Sequence, residues 1–409
     1  MFVVWLILLI LALTEGLNSL RCGIQQVRCL IPSPENPARN SFTPSSMTSL
    51  VIPCRGLEEG FEKNITAFFN LLSTHLKLIF VIDSKSDPAY PTLMQLCKKN
   101  PNNYSEILVA GPAKNCGQKV HNLKFAIEQL PNDQKTFVFA DSDIRPLPDW
   151  LQALLKELRR KETGLSTGFR WYLCSKEFCF ASCLRSAWNA GILSRMNTEK
   201  CDFGWGGALA CSREIFEECG GKEIWNGSLS DDYSLSSAVK NQNYKIRFVP
   251  RALSLSYASC SLRQLLDWST RQISITRVYS PTLWKMLWPV QLLYFFSVWM
   301  TPFLVLAPED FSDLNLRQRI ILGTIGLMVV GFSSIKAHLR LKMVASILPE
   351  KSKQILCHAW LHRIAPPFCS LVTLQALFRS LFSKKILWKG IQYEMQSATQ
   401  TRILSKSKP

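Results

Sequence analysis

The sequence predicts a membrane-attached α/β domain with a mostly parallel sheet, and three observations carry that reading. From Ser49 onward, short apolar strands alternate with helical stretches, a spacing that implies parallel strands joined by helices on both faces. Several strands end abruptly in acids, the sharpest case being Phe137-Val138-Phe139-Ala140-Asp141-Ser142-Asp143. Long apolar stretches lie near both termini, and a composition of 47% apolar against 19% charged residues is too greasy for a plain soluble enzyme and too polar for a polytopic transporter. A chain of 409 residues has room for one catalytic-sized domain plus membrane segments.

Taken in order, Met1 to Leu13 is almost wholly apolar and Thr14 to Leu20 extends it. No Lys or Arg precedes this stretch, whereas Arg21 and Arg28 follow it, so residues 1–20 read as a membrane anchor with the following chain in the cytoplasm. Residues 21–48 read as a linker, rich in Pro, Ser and Asn from Pro32 to Ser46. The α/β domain occupies 49–260. Its first strand runs from Leu50 into a turn at Pro53 to Gly56, an amphipathic helix follows from Phe61 to Leu72, and a second strand from Leu76 to Ile82 ends in Asp83, with Asp87-Pro88 beyond. A third strand, Glu106 to Val109, leads to a turn at Gly117 to Asn122, a helix from Leu123 to Leu130 and the acid-tipped strand. Pro146 and Pro148 start another helix; Thr167 to Tyr172 mixes aromatics with Arg170; Gly204 to Ala208 is Gly-rich; Asp231-Asp232 precedes a helix; Lys245 to Val249 is a late strand.

The remainder is membranous. Residues 261–282 form an amphipathic, cationic helix suited to a membrane interface, and 283–382 hold the C-terminal membrane segments. Leu287 to Leu306 and Ile320 to Ile335 are long enough to cross, with a polar stretch from Pro308 to Arg319 between them. Ile355 to Phe382 has cationic flanks and Pro366-Pro367 in its middle, which reads as a re-entrant or interfacial hairpin, a plain crossing being the alternative. Residues 383–409 are left as a basic cytoplasmic tail. The formal charge of +18, from 48 basic and 30 acidic residues, gathers around the C-terminal apolar segments rather than on one arm or helical face. That distribution suits an anionic leaflet and negatively charged nucleotides better than nucleic acid. None of the 14 cysteines forms a Cys-x-x-Cys pair, so ordinary thiols are expected at Cys174, Cys179 and Cys183 rather than zinc ligands. His358 and His362, one turn apart in an apolar stretch without an intervening Glu, read as membrane-interface histidines.

The chemistry starts from Asp141 and Asp143. Carboxylates at the C-terminal end of a strand sit where open α/β sheets bind ligands, and two of them at i and i+2 can hold one hard divalent cation that neutralises a diphosphate leaving group. An acidic turn without function is the alternative for this pair taken alone. Its neighbours weigh against that, because acids at three strand ends and Lys119-x-x-Asn122 describe a pocket for a charged nucleotide.

The order Pro53, Asp83/Asp87, Gly117-x-Lys119-x-x-Asn122, Asp141-x-Asp143 and Asp231-Asp232 resembles membrane-bound family 2-type inverting glycosyltransferases of the GT-A fold, most of all the ceramide glucosyltransferase group. Asp87-Pro88-Ala89, Asp232-Tyr233 and the tail Trp388-Lys389-Gly390-Ile391-Gln392-Tyr393 match patterns of that group, and the resemblance runs from about Ser49 to Met395. It implies a cytosol-facing domain at a bacterial inner membrane or a Golgi or ER membrane, moving a hexose such as glucose from a UDP-sugar to a lipid hydroxyl such as ceramide. It implies that Asp83, with Asp87 beside it, contacts the uridine, that Lys119 and Asn122 line the donor site with Lys119 at the phosphates, and that Asp143 binds Mg2+ or Mn2+ with Asp141 close to the donor sugar or to the same ion. Asp232, paired with Asp231, would be the general base. One departure stands out: the group's Gln/Arg-x-x-Arg-Trp motif is reduced here to Arg271 within Trp268-Ser269-Thr270-Arg271-Gln272, and Arg277 competes for its diphosphate role. Diacylglycerol as acceptor, a processive polysaccharide synthase, and a non-enzymatic membrane scaffold with a decayed transferase domain remain alternatives.

Overall fold

The computed structural model describes residues 1–31, 47–71, 75–101, 104–174, 179–308 and 312–406. The expected linker from 32 to 46 and part of the polar 308–319 stretch lie outside the described residues. The chain divides into a sheet unit (Pro32–Leu173, Arg195–Ser259, Lys384–Pro409) and a helical unit (Met1–Ile31, Cys174–Ser194, Cys260–Ser383).

The sheet unit is built on β1 (Met47–Pro53), β2 (Leu76–Ile82), β3 (Ser105–Val109), β4 (Gln134–Ala140), β5 (Thr163–Tyr172), β6 (Ala208–Ser212) and β7 (Lys245–Ser256). These form a seven-stranded sheet of order β3-β2-β1-β4-β6-β5-β7. Every neighbouring pair is parallel except those of β6, which runs antiparallel to both β4 and β5. This is the mostly parallel sheet that the sequence predicts. Strands buried on both faces have no use for polar alternation, and Leu50, Val51, Ile52, Phe137, Val138, Phe139 and Ala140 are all fully buried. Beneath β4, Phe137, Phe139, Phe216 and Trp225 pack edge to face at centroid distances of 5.2 to 5.5 Å, geometry that aromatic quadrupoles favour. In register, Val51 of β1 lies beside Phe139 of β4, and Ile52 beside Phe80 of β2. The turns that leave β1, β2 and β4 therefore emerge side by side at one edge, and the acids gather there.

Two local readings are corrected. The stretch Gly117 to Asn122 is not a turn before a helix: the helix spans Gln118–Glu128, with extended Gly117 at its N-cap, so Lys119 and Asn122 sit in its first turns. The tail is folded rather than loose. Lys385–Trp388 (β8), Ile391–Ser397 (β9) and Gln400–Lys406 (β10) make a three-stranded antiparallel sheet within the sheet unit.

In the helical unit, four helices are long and apolar enough to cross a membrane: Phe2–Leu30, Pro281–Leu306, Leu316–Ile347 and Ala359–Phe382. Phe2–Leu30 is longer than the 20-residue anchor expected, and it packs on Leu316–Ile347 with Gly16 against Phe332 and Ser19 bonded to Lys336 Nζ at 2.5 Å. The cationic helix, Leu262–Tyr279, opens with a capping box between Ser261 and Gln264, which satisfies N–H groups the helix itself cannot. The hairpin expected around Pro366-Pro367 does not form, because Ala359–Phe382 is one continuous helix containing both prolines. Neighbouring side chains grip it on the C-terminal side of the prolines, Trp299 Nε1 donating to Pro367 O at 3.3 Å and Trp188 Nε1 to Thr373 Oγ1 at 3.0 Å, and packing of this kind lets apolar helices tolerate proline.

Candidate active site

The acids at the sheet edge are held by two cations. Arg170, on β5, reaches both carboxylates: its Nη2 lies 2.5 Å from Asp143 Oδ1 and 2.9 Å from Asp141 Oδ2, while Nη1 lies 2.7 Å from Asp143 Oδ2. This is the two-pronged contact that a guanidinium makes and an ammonium cannot. The guanidinium is flanked by the rings of Tyr172 and Trp205, with centroids 5.3 and 5.2 Å away. Lys119 Nζ lies 2.9 Å from Asp141 Oδ1, 3.1 Å from Asp231 Oδ2 and 3.2 Å from Gly206 O. Burial opposes the charge on Lys119, but Asp141, Asp231 and Asp232 outweigh it and hold the ammonium well above its ordinary range. Burial likewise works against the Asp141 carboxylate, and Lys119 and Arg170 overcome it, lowering its pKa.

Asp231 and Asp232 open the helix Asp231–Asn241 behind an N-cap at Ser230, where the helix N-terminus favours negative charge. Their surroundings differ. Asp232 is half-buried; its Oδ2 accepts from Gly206 N–H at 3.0 Å and its Oδ1 from Tyr233 N–H at 2.8 Å, with Ser230 Oγ close beside. Asp231 is 3% exposed, and its Oδ2 has no aligned hydrogen-bond donor although the Lys119 ammonium is near. The glycines explain how these groups fit together. A Cβ at Gly206 would overlap Asp231 Oδ2, and one at Gly207 would come within 2.6 Å of Asp141 Oδ2.

Burial, opposed by Lys119 and reinforced by Asp232 and Asp141, pushes the Asp231 carboxyl up to about 7 from an ordinary 3.8. Between those values the folded chain holds a proton that the unfolded chain has shed. The contribution to stability is therefore full below pH 3.8 and lost as pH rises through about 7. The unfolding midpoint is expected to fall from about pH 4 to about pH 7 and Asp231→Asn to flatten that fall; a scan in which the variant keeps the wild-type slope would remove Asp231 as the source.

The sequence-predicted residues divide. Asp141, Asp143, Lys119, Asp231 and Asp232 meet at one place. Asp83 lies at the same edge, paired with Arg55, and burial raises its carboxyl against the pull of Arg55. Asp87 and Asn122, expected at the donor, are engaged in bonds within the fold. Asp87 accepts from Gly56 N–H and Ala89 N–H at 2.9 and 2.8 Å, while Asn122 accepts from Gln118 Nε2 at 2.8 Å and donates to Val81 O at 3.3 Å. Arg271 belongs to the helix Leu262–Tyr279 of the helical unit, and its rival Arg277 donates to the carbonyls of Ser380 and Leu381 that end Ala359–Phe382. Sequence reading did not single out Arg170; its signal was a cation amid the aromatics of Thr167 to Tyr172.

With this geometry in view, comparison with known proteins is decisive at the level of family. The model of glycosyl transferase family 21 matches residues 5–401. The chain belongs to that family. The family 21 chain is 21% identical over 243 residues to ceramide glucosyltransferase 3 of Caenorhabditis elegans, covering 56% of this chain and 50% of that protein. It is 22% identical over 202 residues to ceramide glucosyltransferase 1 of the same organism, covering 48% and 42%. It thus spans about half the length of these curated relatives. Among solved structures, the mannosyltransferase PcManGT from Pyrobaculum calidifontis, in complex with GDP-Man and Mn2+, aligns at a TM-score of 0.49 and 12% identity, covering 92% of this chain and 98% of that one.

Proposed function

We propose that this family 21 chain transfers a hexose, glucose from UDP-glucose in the first instance, to the hydroxyl of a membrane lipid such as ceramide, with inversion at the anomeric carbon. The observation that carries the reading is the meeting of Asp141, Asp143, Lys119, Asp231 and Asp232 at one sheet edge, in a chain that also carries apolar helices long enough to enter a bilayer. In this reading Asp83 accepts from the uridine, and Lys119 offers its charge to the donor phosphates. Asp232 takes the proton of the acceptor hydroxyl as that oxygen attacks the anomeric carbon and UDP leaves from the opposite face. Asp232 suits that task better than Asp231, because it is less buried and its two oxygens are fixed by Gly206 and Tyr233 while keeping room for another donor. Asp231 holds Lys119 in place, and Arg271 is assigned to the leaving diphosphate.

Asp143 and Asp141 would hold a Mg2+ or Mn2+ ion. Among the described residues no group of three His, Cys, Asp or Glu is gathered for a metal, yet a pair of carboxylates fits such an ion when substrate phosphates complete its shell. When bound, the ion would supply charge neutralisation of the departing diphosphate. The test is expression in a host without glycolipids, followed by mass spectrometry of extracted lipids. A hexosyl lipid is expected; accumulation of folded protein without any new glycolipid would overturn the reading.

A further inference from the structure

The C-terminal sheet docks on the same edge of the sheet unit as the acids. Its first turn, Lys389–Gly390, joins β8 to β9, and both residues have left-handed backbone, at φ 50° and 74°. For a lysine this conformation costs free energy, and such strain is retained where the surroundings impose it. The surroundings here are the turn that leaves β1: Arg55 Nε donates to Lys389 O at 2.9 Å, Lys389 Nζ lies 3.5 Å from Arg55 O, and the same ammonium is ion-paired with Glu58. Two further contacts lock the sheet in place. Gln118 N–H donates to Tyr393 Oη at 3.1 Å, and Lys406 Nζ donates to Ala113 O at 2.9 Å. A Cβ at Gly227 would overlap Thr399 O, so the β9–β10 turn also seats on the loop leading to Asp231.

Lys119 and Arg170 are each already matched with two acids. Lys389 is matched with Glu58, whose Oε2 is buried without a hydrogen-bond partner, while the ammonium keeps about a third of its side chain exposed, at 31%. It also lies close enough to Asp141 to help lower that carboxyl, and Asp143 in turn helps raise Glu58. A diphosphate entering here meets several acids, and Lys389 is the nearby cation most readily redirected to it.

We propose that the C-terminal sheet is part of the donor site, with the Lys389 ammonium exchanging Glu58 for the donor's diphosphate. This rests on the nucleotide-sugar reading above. The test is equilibrium titration of the full-length protein in detergent with UDP, GDP and uridine. Lys389→Ala is expected to weaken UDP binding by about tenfold or more, the scale of a charge-assisted contact, and to leave uridine binding unchanged, with Lys389→Arg close to wild type. Glu58→Gln is expected to tighten UDP binding by releasing the lysine, which decides the matter even if Lys389→Ala fails to fold. UDP binding unaltered by Lys389→Ala, or UDP and uridine lost together, or UDP not tightened in Glu58→Gln, would overturn the assignment. Failure of the wild-type protein to bind UDP or GDP would overturn the nucleotide-sugar reading itself, and this proposal with it.

Discussion

Membranes containing Asp232→Asn protein are expected to lose lipid glycosylation by a factor of about a hundred to ten thousand, the range a positioned general base supplies, while the protein accumulates normally. The amide keeps the shape of the side chain and one oxygen for Gly206 N–H at 3.0 Å, but it has no basic lone pair to take a proton. Because Asp232 is half-buried at a helix start rather than locked in an ion pair, its neutralisation should spare the fold. Asp231→Asn makes the contrast. It leaves the half-buried carboxylate in place but loosens Lys119, so substrate affinity should suffer more than turnover. Full activity in Asp232→Asn, measured with wild-type amounts of protein, would take the base role away from this residue.

Arg170→Met should be the most disruptive single change to the site. It removes the guanidinium from two carboxylates whose side chains are 24% and 26% exposed, leaving Asp143 without the group that meets both of its oxygens. Breaking a buried pair on one side typically costs about 3–5 kcal/mol, enough to lower the unfolding midpoint by roughly 10 °C for a domain of this size. Arg170→Lys should recover only part of that loss, because one ammonium cannot reproduce the two-nitrogen contact with both oxygens of Asp143. Adding Asp143→Asn to Arg170→Met should restore stability but not activity, since the two losses are coupled through one contact. An unchanged midpoint in Arg170→Met would mean that the acids do not depend on it.

The sheet edge was legible because it is written in short range: an apolar run long enough for a buried strand, stopped by acids, recurs along the chain. Asp83, Asp141 and Asp143 could be found that way, and Asp231-Asp232 as an acidic pair ahead of a helix. What decides their chemistry was not legible, because it comes from far along the chain. Arg170 lies 27 residues beyond Asp143 on a strand buried on both faces, where no alternation marks an inward-pointing cation. Lys389 is 334 residues from Arg55. Asp87 and Asn122 show the converse difficulty. Their residue types suit a nucleotide, but the same oxygens and nitrogens suit backbone groups equally well, and only the fold decides between them. Pro366-Pro367 was read as a break because proline costs a free helix dearly; packed among other helices, the two prolines lie within one continuous helix.

The folded tail also constrains how the chain threads a bilayer. Arg195–Ser259 and Lys384–Pro409 belong to one unit, so both must lie on the same face of any membrane. Whatever passes between Ser259 and Lys384 must return to the side it left, which permits only an even number of crossings. Three helices of crossing length occupy that interval, so no more than two can cross. The helix carrying Pro366-Pro367 has the lowest hydropathy of the three, 1.2 against 1.5 and 1.8.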